Sequence, residues 1–309
     1  MDLHPTHLFG IAKHTVKSSY RDDIMGLAAG VAYHLLFSTV PLLIFFAALS
    51  AQISHLIGTE DVLNRITNFL FDHLAYEQAV AIRDPIEQVI HNQSNRLLSI
   101  SAILAVWGGK NGIVALMKAL NKAYGAAETR SWPRRTAVAI ALTLALAIPI
   151  LLISALILIR TWIEKWLGNS LGTNSTWTTL WQLARWPLLA LLLFLGLAML
   201  YCFGPNINLP TWTVFPGALF AVILWGLATF GLSFYFKYLG GYATAYGVLG
   251  ALLAFVFWLY LISAIILLGG ELNSSLLEYL EERRSAGKTQ TTTKPASGRV
   301  TDAIGNRGV

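Results

Sequence analysis

Charge is what this sequence has least of. Asp, Glu, Lys and Arg make up 12% of its 309 residues, about half the share of a soluble domain. So few charges cannot coat a water-soluble globule of this length, and a soluble fold is excluded. Cysteine is almost missing. Cys202 is the only one, which excludes an intrachain disulfide framework and a cysteine-based zinc cluster. The seven histidines, at 4, 7, 14, 34, 55, 73 and 91, form no HxxxH, HxH or HExxH pattern. No Walker loop, GxSxG or dinucleotide fingerprint occurs. The expectation is therefore a protein that is not an enzyme, with no metal, no cofactor and no nucleic-acid partner. The first 21 residues have no apolar core followed by a small-residue cleavage site, so no secretory signal peptide is expected.

What the chain does have is apolar length. A helical span needs about 20 apolar residues. Six spans are expected, at 27–51, 97–117, 136–159, 186–203, 213–236 and 246–269. The second is long enough only with Lys110 inside it. The fourth and fifth share one uncharged run, broken at Phe203-Gly204-Pro205-Asn206 with Pro210 following. The expected fold is all-α: a polytopic membrane protein with a six-helix transmembrane bundle. Residues 1–284 form one membrane domain, and 285–309 a disordered cytoplasmic tail rich in Gly, Ser, Thr and Lys.

Lys and Arg set the orientation. Lys13, Lys17 and Arg21 precede the first span. Lys118, Lys122, Arg130, Arg134 and Arg135 fill the loop after the second, and Arg283 and Arg284 follow the sixth. That side is cytoplasmic, and both termini lie on it. Between the first two spans, residues 52–96 are too polar to cross. Val62, Leu63, Ile66, Phe69, Leu70 and Leu74 recur at helical spacing, and Asp84-Pro85 reads as the start of a second helix. Two amphipathic helices are expected there, on the external face. Trp162, Trp166, Trp177, Trp181 and Trp186 form an interfacial belt around the third external loop.

Lys110, in Trp107-Gly108-Gly109-Lys110-Asn111-Gly112, is the most informative residue. A mid-span lysine costs roughly 2.5–3.5 kcal/mol on insertion scales and persists when paired, hydrated or snorkelled. Asp22, Asp23 and Glu271 are candidate partners, and Asn111 belongs to the same motif. Glu271 is either a solvated acid at a helix end or half of an ion pair. His34, beside Tyr33, reads as an interhelical hydrogen bond ahead of a proton relay. Pro41, Pro149 and Pro205 mark kinks or breaks.

Four stretches resemble the YihY / virulence factor BrkB family of bacterial inner-membrane proteins, once mislabelled ribonuclease BN. They are Leu27-Ala28-Ala29-Gly30-Val31-Ala32-Tyr33 with Phe37-Ser38 and Pro41-Leu42; Trp107 through Asn121-Lys122-Ala123-Tyr124-Gly125, with Glu128 and Arg130; Tyr201 to Pro205; and Tyr246-Gly247-Val248-Leu249-Gly250-Ala251, ending in Gly270-Glu271-Leu272-Asn273. The chain departs from the family pattern at Gly108-Gly109-Lys110. The resemblance implies six spans, an inner-membrane location, an envelope role and no established reaction. A transporter of lipid, a lipid-linked envelope precursor or a small solute is the first expectation. A non-transporting envelope scaffold that binds a partner protein is the second. Membrane lipids are the expected partners, with anionic headgroups drawn to the basic second cytoplasmic loop, and a homo-oligomer is compatible with the sequence.

Overall fold

The computed structural model describes residues 5–57, 95–148, 175–207, 209–239 and 241–292, and among them all regular structure is helical. The helices are α1 (Pro5–Arg21), α2 (Ile24–Ile57), α3 (Asn95–Ala123), α4 (132–148), α5 (Ser175–Phe203), α6 (Phe215–Leu239) and α7 (Gly241–Thr292). A short 3-10 turn, Thr211–Thr213, precedes α6.

Three stretches are long and apolar enough to cross a membrane: Ser99–Ala123, Thr211–Tyr235 and Leu252–Glu281. They contain or overlap the spans expected at 97–117, 213–236 and 246–269. Of the shorter apolar helices, Ile24–Thr39 overlaps the first expected span and Pro187–Phe203 falls within the fourth. The third expected span is described as helix up to residue 148. Its remainder, Pro149, Trp162, Trp166 and the two amphipathic helices lie outside the described residues.

Two boundaries differ from the sequence reading. Residues 5–21 are helical, where only a basic flank was expected. α7 continues past its apolar stretch to Thr292, beyond the start of the tail expected at 285. Charge ends a span but not a helix, since Glu, Lys and Arg are good helix formers.

Helix α2 packs on α3 and α7, α6 on α7 and α5, and α1 on α7. Small residues set these contacts. Gly108 and Gly112, four apart on α3, face α2, where an added Cβ would come within 2.9 Å of Ser38 and 3.0 Å of Leu35. This is the small-xxx-small geometry that lets membrane helices approach closely. Gly217 of α6 meets Gly269 of α7 backbone to backbone; a Cβ on Gly269 would stand 2.7 Å from the Gly217 carbonyl oxygen. Tyr201, Met117, Leu120 and Leu267 fill the centre between these contacts, all fully buried.

Candidate functional site

The loop after α3 is fixed by hydrogen bonds rather than by apolar packing. Gly125 takes φ +60°, its N–H donates to the Lys122 carbonyl, and the Ala126 N–H donates to that of Asn121. That pattern is a Schellman cap, and it turns the chain towards the end of α5. Glu128 then gathers three groups. Arg130 Nε donates to its Oε1 at 2.8 Å, the Arg130 N–H to the same oxygen at 3.1 Å, and Asn121 Nδ2 to Oε2 at 2.9 Å. Arg130 also donates to the carbonyls of Phe203 (3.3 Å) and Gly204 (2.7 Å). A cation thus sits on the unpaired carbonyls that close α5, where the helix dipole favours it. Asn206 completes the clamp. Its N–H donates to Asn121 Oδ1 at 2.7 Å, and its amide donates to Ala127 O and Thr129 Oγ1. Burial by itself would raise the Glu128 carboxyl. The hydrogen bonds and charge of Arg130 more than offset this, holding it below its ordinary value near 4.5.

A second polar cluster lies under this clamp, where α1, α3, α6 and α7 meet. Asn273 binds the first turn of α6, its Oδ1 accepting from the Gly217 N–H at 2.7 Å and its Nδ2 donating to the Val214 carbonyl at 3.1 Å. It supplies across helices the capping that Val214, at the N-cap position, cannot supply from its own side chain. Tyr124 Oη is buried without a hydrogen-bond partner, with Asn273 as its polar neighbour, and burial pushes the phenol up, so it stays neutral. Glu271 is 1% exposed. The Ser18 hydroxyl bonds its carboxyl, and its Oε2 has no partner. Thr15 and Ser18 on α1 and Ser274 and Ser275 on α7 are buried around it. His14 reaches Ser275 Oγ at 3.3 Å and Glu278 at 3.6 Å. Glu271 is therefore an enclosed acid, neither solvated nor paired with Lys110.

Lys110 is itself buried, 8% exposed, with Nζ 4.0 Å above the Trp107 ring centroid. That cation–π contact is its partner among the described residues. Glu271 is out of reach for a geometric reason. Leu120 packs on Gly270, so Glu271 lies level with the end of α3, about 15 Å of helical rise from Lys110. The other candidates disperse. Asp22 pairs with Arg21 at 3.2 Å. Asp23, at φ 53°, caps α2 by accepting from the Gly26 N–H at 3.3 Å. Tyr33 and His34 are exposed and meet edge to face, with Tyr33 packed at a tilt against Phe37. The interhelical hydrogen bond expected of His34 is not formed among the described residues. Asn111 is half-buried beside Lys110. No three His, Cys, Asp or Glu come together to hold a metal among the described residues.

The structure thus places Lys110 and Glu271 as two separate buried groups. It adds Ser18, Tyr124, Asn206 and Asn273, which the sequence reading did not single out as site residues. The partners of Asn206 and Asn273 lie 56 to 85 residues away, and local patterning carries no signal of such pairings.

The sequence pattern of the virulence factor BrkB family matches residues 15–293. The chain belongs to that family. It is similar to the ribonuclease-like protein YfkH of Bacillus subtilis, with 32% identity across 81% of this chain and 88% of the relative. It also resembles UPF0761 membrane proteins of Tolumonas auensis (26% identity, 87% and 86% covered) and Cronobacter sakazakii (28%, 86% and 88%). No solved structure matches. The match spans α2 to α7 and the last seven residues of α1, so this BrkB-family protein carries both polar clusters, His14 apart, within its family region.

Proposed function

We propose that this protein is a six-span bacterial inner-membrane transporter with both termini in the cytoplasm. It moves lipid, a lipid-linked envelope precursor or a small solute, and performs no catalytic chemistry. The observation that carries the reading is Lys110, a buried cation within an apolar helix whose contact is a ring and not an anion. An ionisable residue kept inside a span is costly, and such residues mark transport pathways. Glycines at 108, 109 and 112 bring α2 and α4 against the same turn, as expected where helices move past one another around a site. Glu271 and Tyr124, buried with unpartnered oxygens, add polar capacity nearer the cytoplasmic end. Flux of labelled phospholipid and of a compatible solute in proteoliposomes, with Lys110→Leu alongside, tests the reading. Reporter fusions at each terminus test the orientation.

A further inference from the structure

The start of α4 is electrostatically inverted. A helix N-terminus carries partial positive charge and favours anions. The first turn of α4 is Trp132-Pro133-Arg134-Arg135, with no acid in it. Arg130 approaches from the preceding loop, and the one nearby carboxylate among the described residues, Glu128, is already taken by Arg130 and Asn121. Among the described residues Arg134 is exposed and has no hydrogen-bond or ion-pair partner, and Arg135 Nε is buried without one.

Beside this turn lies an open cavity of about 360 Å³ between α4 and the break after α5. Arg130 and Arg134 supply its cationic wall, and Val138, Cys202, Phe203 and Ile207 an apolar one. Phe203 and Trp132 are more than half exposed, as aromatic anchors at a membrane interface are. Cations, helix N-terminus and apolar wall together match one chemistry, a phosphate ester attached to an acyl body.

We infer that this cavity binds the phosphate headgroup of an anionic phospholipid drawn from the surrounding bilayer. Arg134 provides the unbalanced charge. Arg130, held by Glu128, forms a fixed wall. The acyl chains run along Val138 and Phe203. This site is separate from Lys110, and occupancy requires no transport.

Cys202 lines the cavity, is half-buried, and is the only cysteine, so a maleimide reads the site alone. The full chain in phosphatidylcholine nanodiscs is compared with the same chain in nanodiscs containing phosphatidylglycerol. The expected result is severalfold slower Cys202 labelling with phosphatidylglycerol, and phosphatidylglycerol retained on the protein in native mass spectrometry. Arg134→Glu loses both effects at an unchanged melting temperature; Arg134→Gln serves if the glutamate variant does not fold. Equal protection and retention in wild type and variants would overturn the inference. Equal protection by soluble glycerol phosphate would overturn the lipid assignment in favour of a soluble phosphate ester.

Discussion

Arg130 Nη2 donates to the Gly204 carbonyl oxygen at 2.7 Å, so a loop cation closes a helix through a residue 74 positions later in the chain. The same guanidinium holds Glu128, so loop, α3 and α5 are fixed as one unit. Arg130→Ala removes the cap and leaves the carboxylate unpaired. The expected loss is about 2–4 kcal/mol, read as a lower melting temperature in detergent. Arg130→Lys restores only part of it, because an ammonium cannot reproduce the planar fork. An alanine variant as stable as wild type would show that the clamp is dispensable.

Glu128 also sets a pH dependence. Its folded pKa lies below the ordinary value near 4.5. A depressed carboxyl contributes stability that is present above the unfolded value and lost as pH falls through the folded one. Melting temperature should therefore drop on acidification below about pH 4.5, and Glu128→Gln should flatten that part of the profile. Parallel profiles for the two proteins would contradict the assignment.

Close approach of α6 and α7 gives a paired test. An added Cβ at Gly217 would collide with the Gly269 carbonyl and the Asn273 amide, whereas at Gly226 it meets nothing within 4 Å. Gly217→Ala should cost about 1–3 kcal/mol, as overpacking does. Gly226→Ala should be neutral or slightly stabilising, since alanine favours helix. Equal melting temperatures for the two variants would mean the helices do not meet there.

Tyr124 separates stability from function. Its hydroxyl is buried and unpartnered, so Tyr124→Phe should be neutral or stabilising, by up to about 1 kcal/mol. If the hydroxyl belongs to the pathway, flux falls while the melting temperature holds. A strongly destabilised phenylalanine variant would mean that the hydroxyl holds the fold.

The three long apolar helices and the two shorter ones were legible because a long uncharged run has few other uses. Lys110 and Glu271 stood out for the same reason, as charges against an apolar background. α1 was not legible. Among the described residues its buried side chains are Thr15 and Ser18, set among Lys13, Lys17 and Arg21, and that mixture has the composition of a solvated flank. The partners of Lys110 were misjudged because sequence gives residue types without depth. Asp22, Asp23 and Glu271 belong to the end of the bundle, while Lys110 lies further in. The Asn206 and Asn273 bonds join distant segments, and no spacing rule finds them.

The most direct test of the account is flux through purified protein in proteoliposomes, measured for labelled phospholipid and for a compatible solute, with wild type and Lys110→Leu side by side. The account predicts protein-dependent movement of one of them, lost in a variant that folds and melts like wild type. No movement of either from folded protein, or undiminished movement in the variant, would contradict it.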